Sequence, residues 1–101
     1  DLEKAERMSK KCVELVPNQS TYQDTYGWVL FKQKRFDEAK EWLGKAVNTS
    51  DNSPVILEHY GDVLHHLGEK KEALEYWKKA KGAGGNSELL NKKVHEGVLH
   101  E

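Results

Sequence analysis

Cysteine is almost missing from this chain: Cys12 stands alone among 101 residues, which excludes an internal disulfide and any zinc site built on paired thiolates. No apolar run approaches the roughly 20 residues needed to cross a bilayer, so direct membrane insertion is not expected. Charge of one sign is missing too. The 16 Lys and Arg and 17 Asp and Glu leave a net charge of -1, too weak a field to gather nucleic acid. Asp1-Leu2-Glu3-Lys4 is neither a signal peptide nor a basic transit segment, and no initiator Met precedes it, so no compartment is readable. No stretch alternates with the two-residue period of a strand.

What the chain does have is a period. Tyr26-Gly27 returns as Tyr60-Gly61 after 34 residues, and the same step carries Leu30 to Leu64, Ala39 to Ala73, Glu41 to Glu75, Lys45 to Lys79 and Ala46 to Ala80. Ala5, Lys11 and Val13 extend the register backward to Ala39, Lys45 and Val47. A shared offset marks an array, in which each unit contacts its neighbours and the whole presents an extended recognition surface. Gly27 and Gly61 remove side chains where one helix crosses another. Ala39, Ala46, Ala73 and Ala80 do the same on the second helix, and Tyr26, Leu30, Leu43, Tyr60, Leu64 and Trp77 fill the space between at helical spacing. Cys12 falls at the small-residue position of Ala46 and Ala80 and reads as an apolar filler.

In register, one unit reads Gln23-x2-Tyr26-Gly27-x2-Leu30 with Ala39-x3-Leu43-x2-Ala46, and the next reads Leu57-x2-Tyr60-Gly61-x2-Leu64 with Ala73-x3-Trp77-x2-Ala80. This resembles the tetratricopeptide repeat, a helix-turn-helix unit. The resemblance implies an all-α, right-handed superhelical array of antiparallel helix pairs. Residues 1–19 would be the second helix of a truncated unit, 20–53 and 54–87 two full units, and 88–101 a C-terminal capping helix. Departures are Ser9 where an aromatic or Leu is usual, Asp51 and Gly85 where Pro is frequent, and His95 where Gly would stand. The overall style is similar to the C-terminal part of a longer bacterial-type protein of the family.

Local chemistry places helices near 2–16, 20–33, 36–48, 54–67, 70–82 and 87–99. Ser20-x2-Gln23 reads as a capping box, Ser53-Pro54 as a cap before a first-turn proline, and Gly82, Gly84 and Gly85 as a helix stop. A chain opening on a second helix would leave Leu2, Ala5, Met8, Cys12 and Val13 partly exposed. The expectation is a monomer with weak end-to-end self-association at high concentration.

The resemblance also implies a concave groove lined by first helices. Carried onto this sequence, its residues are Asp24, Trp28, Phe31, Lys32, Glu58, Asp62, His65 and His66, with Thr21, Val55 and Lys92 beside them. An exposed Trp28 and Phe31 would anchor an apolar group of a protein or peptide partner, while Asp24, Glu58 and Asp62 would favour a basic one. The competing reading packs both rings into the core between repeats, with Phe31 tilted towards exposure by its spacing from Trp28. Burying two aromatics supplies about 3 to 6 kcal/mol against about 8 for micromolar binding, so affinity should be weak. One subclass of the family clamps chaperone C-terminal carboxylates with Lys, Asn and Arg, and the three acids argue against that ligand here.

His59, Asp62 and His66 fall at i, i+3 and i+7, with His65 adjacent, so a surface metal site can be drawn. A hydrated helix face gives it no inward aim or outer support, and none is expected. His95 and His100 read as surface residues. There is no nucleophile with an oriented base and no cleft-spanning carboxylate pair, so the chain reads as no enzyme and needs no cofactor. Gly82-Ala83-Gly84-Gly85 lacks the Lys-Ser or Lys-Thr ending and following context of a phosphate loop. Lys78, Lys79 and Lys81 sit among Glu72 and Glu75, a solvated face of ion pairs. Two functions follow: a peptide-binding module using the groove, or a structural end-cap of a longer array whose ligand binds upstream repeats. The first rests on Trp28 and Phe31 being exposed.

Overall fold

A computed structural model describes residues 1–50 and 52–97, and among these there are six helices and no strand. They are α1 (Leu2–Leu15), α2 (Ser20–Lys32), α3 (Phe36–Thr49), α4 (Pro54–His66), α5 (Lys70–Gly82) and α6 (Glu88–Glu96). Packing runs between chain neighbours, most extensively α2 on α3 and α4 on α5, with α2 also touching α4. The body measures 38 × 24 × 21 Å, the elongated outline of stacked helix pairs.

Each pair closes because a glycine lets a large side chain in. A Cβ on Gly61 would lie 2.5 Å from Trp77 Cδ1, and one on Gly27 would lie 2.8 Å from Leu43 Cγ. Trp77 and Leu43 are both fully buried, and burial of such a side chain contributes about 1.5 to 3 kcal/mol. The Ala positions complete the fit, since Ala39, Ala46, Ala73 and Ala80 are all inaccessible. Tyr26 meets Trp42 edge-on at 5.1 Å, and one repeat later Tyr60 meets Tyr76 at 4.7 Å.

The turns repeat as well. Arg35 N–H donates to Leu30 O and Glu69 N–H to Leu64 O, both at 2.9 Å, a helix stop that requires a left-handed residue. Gly68 supplies it in one turn with φ 84°, and Lys34 in the other with φ 64°. Ser53 Oγ accepts from Ile56 N–H behind Pro54, and α5 stops at Gly82. The capping box expected at Ser20 does not form. Ser20 is already helical behind Gln19, and Gln23 Nε2 donates instead to Pro17 O at 2.8 Å.

On α1, Leu2 and Met8 are exposed and Ala5 and Cys12 half-buried, whereas Val13 is buried against α2. Ser9 is buried because its hydroxyl donates to Ala5 O at 2.7 Å. The α2–α3 turn is tied back to α1 by Gln33 Nε2 and Arg35 Nη1, which donate to Glu6 at 3.0 and 2.9 Å. Those bonds hold the Glu6 carboxyl below its usual range.

Candidate functional site

α2, α4 and α6 bring most of the groove candidates into contact with one another, whereas His65 turns to Trp77 of α5. Their helical spacing would leave each side chain free, yet most are engaged with a neighbouring helix. Asp24 Oδ1 lies 2.8 Å from His59 Nδ1 across α2 and α4. One repeat on, Glu58 Oε2 accepts from Lys93 Nζ at 2.7 Å across α4 and α6. Both pairs span 35 residues in sequence, so the acid–base staple is a repeated feature of the array.

A second contact recurs beside each staple. His59 stacks on Trp28 with centroids 3.8 Å apart, while Lys93 donates to both oxygens of Asp62 at 2.9 and 3.1 Å. Trp28 and Asp62 are themselves repeat-related, so ring on ring in one unit becomes cation on anion in the next. Asp62 also accepts from Trp77 Nε1 at 3.0 Å. Burial pushes the Asp62 carboxyl above the usual range, and Lys93 and Trp77 offset this only in part. Lys93 is 2% exposed and Asp62 5%, which makes this a core ion pair joining α6 to α4.

Phe31 is buried at 7% exposure, overturning the tilt towards an exposed ring. It lies parallel to Trp28 at 4.5 Å and edge-on to His66 and Phe36 at 5.0 and 5.4 Å. His66 stacks on Phe36 at 4.7 Å. The rings therefore satisfy one another across α2, α3 and α4, the packing that i, i+3 spacing on one helix could not foretell. Trp28 keeps partial exposure, with Lys32 Nζ 5.2 Å above its ring. His65 lies over Trp77, its Nε2 is buried without a partner in the protein, and burial, then Lys70 and His66, lowers its pKa.

The acidic patch expected in the groove is thus taken up internally by His59 and Lys93. The preference for a basic partner is weakened rather than removed, since three carboxylates share one ammonium and one imidazole, and the same holds for the charge argument against a carboxylate-bearing chaperone tail. What remains at the surface is Thr21, Lys32, Val55, His66, Leu89 and Lys92. His59, Asp62 and His66 go to three different partners, and among the described residues no group of three His, Cys, Asp or Glu is placed to hold a metal ion. His95 is exposed, and His100 lies outside the described residues. The expected ion pairs of Lys79 and Lys81 with Glu72 and Glu75 give way to other contacts. Lys79 lies over the Tyr76 ring and Lys81 donates to Asn91 at 2.8 Å.

Sequence reasoning named Lys92 from α6 and missed Lys93. A signal was present, since His59 and Lys93 stand 34 apart, as do Asp24 and Glu58. Matching basic and acidic residues at one shared offset are the signature of a staple between first helices.

A tetratricopeptide repeat family model matches residues 1–90. No curated protein matches the sequence significantly. Among solved structures, the chain is similar to the first TPR of Spaghetti (RPAP3) bound to the HSP90 peptide SRMEEVD, with TM-score 0.88 and 14% identity over 95% of this chain and 76% of that one. It is similar to MamA MSR-1 C2, with TM-score 0.78 and 17% identity over 95% of this chain and 55% of that one. It is also similar to PilF of Pseudomonas aeruginosa, with TM-score 0.77 and 23% identity over 94% of this chain and 45% of that one. The chain thus spans about half the length of two of these three structures.

Proposed function

As the chain belongs to the tetratricopeptide repeat family, we propose that it is a protein-interaction module that holds a short segment of a partner protein on the inner face of α2, α4 and α6. Residues 20–53 and 54–87 act as its two full units, with α6 closing the second. The observation that carries this reading is what the staples leave uncovered. Val55 and Leu89 are 56% and 41% exposed, and they are flanked by Lys32, whose ammonium lies over the Trp28 ring, and by Lys92, 4.0 Å from exposed Glu88, a contact of little energetic consequence. Trp28 is itself partly exposed. Asp24, Phe31, Glu58 and Asp62 serve as the floor that holds these groups in place.

Such a face suits a segment mixing apolar and acidic residues. The neighbouring structure with SRMEEVD carries such a peptide. Because Phe31 is already buried, the anchor area is smaller than two free aromatics would give, and about 4 to 5.5 kcal/mol corresponds to a dissociation constant of roughly 0.1 to 1 mM. The test is fluorescence anisotropy with labelled SRMEEVD and SRMKKVK, in which each acid is replaced by lysine. Binding of the acidic peptide alone, lost in Lys32→Glu with Lys92→Glu, supports the reading; equal binding of both peptides, or none up to several millimolar, removes it.

The structural end-cap is the second reading, and Lys93 favours it. A buried cation fastens α6 across α4, and Leu90 beside it is 1% exposed, an arrangement suited to sealing an apolar array face. Absence of peptide binding together with a large stability loss on removing α6 would support the cap alone.

A further inference from the structure

Two open clefts share no lining residue with the inner face. The first, about 360 Å³, is bordered by Val13, Asn18, Gln23, Trp42, Lys45 and Asn48. The second, about 530 Å³, is bordered by Val47, Asn52, Leu57, Tyr76, Lys79 and Gly82. Each of the second set stands 34 positions after its counterpart in the first, so one site occurs twice along the array, where a second helix ends and the next first helix begins.

Their chemistry is shared. A lysine lies over an aromatic ring in each, with Nζ 4.1 Å from the Trp42 centroid and 4.4 Å from that of Tyr76. Among the described residues, no carboxylate lines either cleft. Lys45 has only Glu41 at 3.8 Å, both side chains well exposed, a contact of little energetic consequence. Gln23 adds an independent observation. It is 4% exposed, its Nε2 donates to Pro17 O, and its Oε1 has no partner in the protein. A buried acceptor without a donor is unfavourable, and the first cleft is where a donor would come from. Leu57 holds the equivalent place in the second cleft, which makes that one the more apolar.

We propose that the two clefts form a tandem docking strip for an acidic segment of a partner protein, with one carboxylate meeting Lys45 and the next meeting Lys79. Apolar side chains of the segment rest against Trp42 and Tyr76, and a backbone N–H is directed to Gln23 Oε1. A single cation per cleft is too sparse for the dense charge of nucleic acid. It suits carboxylates spaced along a peptide. Lys45 stands on α3 and Lys79 on α5, with α4 packed against both, so the two cations lie between about one and two helix spacings apart, roughly 10 to 20 Å, which is about three to six residues of extended chain. The strip is separate from the inner face, so either surface can fail without the other.

The experiment titrates the 15N-labelled chain with unlabelled peptides carrying two glutamates three, four, five or six residues apart among leucine and serine. Controls are the same peptides with one or both glutamates replaced by glutamine. The proposal expects the Trp42 indole N–H and the Asn18 and Asn48 side-chain amides to move, and the one-glutamate peptide to bind at least about tenfold more weakly because the second contact is intramolecular. Lys45→Glu with Lys79→Glu should abolish those shifts with helicity unchanged, while Lys32→Glu with Lys92→Glu leaves them intact. Shifts confined to Trp28 would overturn the strip while supporting the inner face. No shift at Trp42, or equal shifts with the glutamine peptide or with a short oligonucleotide, would overturn the strip outright.

Discussion

Replacing Lys93 with Met is the substitution that most directly probes how the array is fastened. Lys93 is 2% exposed and its ammonium contacts Glu58 at 2.7 Å and Asp62 at 2.9 and 3.1 Å. Methionine keeps most of the stem's volume and removes the charge. Asp62, 5% exposed, is left with the Trp77 indole as its remaining donor and with Glu58 nearby. Removing one partner of a buried ion pair costs about 3 to 5 kcal/mol, whereas replacing both is often near neutral. Against a typical total of about 5 to 15 kcal/mol for a domain, Lys93→Met should remove a large fraction. At about 4 °C or more of midpoint per kcal/mol, a loss of 3 kcal/mol lowers the thermal transition by at least about 12 °C. The assay is urea and thermal unfolding followed by circular dichroism and by Trp fluorescence, with Asp62→Asn and the double variant closing a thermodynamic cycle. The cycle should show a coupling above about 1.5 kcal/mol. Lys93→Met within about 0.5 kcal/mol of the parent would refute the reasoning, since it would place the ammonium in water.

Other outcomes follow from the same geometry. Gly61→Ala should destabilise by about 1 to 3 kcal/mol, because its Cβ would fall 2.5 Å from Trp77 Cδ1 and overpacking exceeds the helix-propensity gain; chemical denaturation checks this. Lys34→Gly should stabilise by up to about 1 kcal/mol, since Lys34 is held at φ 64° where its counterpart is Gly68. His65 has a lowered folded-state pKa, so its contribution is fully present above its unfolded value near 6.5 and is lost as pH falls through the folded value. Urea titrations at pH 7.5 and 5.5 should therefore show a smaller loss in His65→Gln than in the parent.

Much of the fold was legible because repeats encode packing locally. The Gly27 and Gly61 crossings, the Ala positions and the large partners Leu43 and Trp77 all share one offset, and the first five helices fall close to their expected bounds; the sixth ends at Glu96, and residues 98 and 99 of its expected span 87–99 lie outside the described residues. The inner face was less legible. Groove membership depends on helical spacing within one element, whereas burial depends on the helix opposite. Phe31 is covered by Phe36 from α3 and His66 from α4, and Asp62 is reached by Lys93 from α6. Those contacts are long-range and appear in the sequence only as coincidences of offset, such as His59 with Lys93. The Ser20 cap failed for a simpler reason, because the helix began at Ser20 itself and Gln23 was drawn to Pro17.

Trp28, Trp42 and Trp77 sit in three separate settings, the inner face, the first edge cleft and the buried core, so three indole N–H signals report the whole molecule at once. Titrating the 15N-labelled chain with SRMEEVD and following those signals is the most direct test of the central claim that the inner face binds a peptide. The account predicts that the Trp28 signal moves in a saturable way while the Trp77 signal stays fixed; a Trp28 signal unmoved at several millimolar peptide would contradict it.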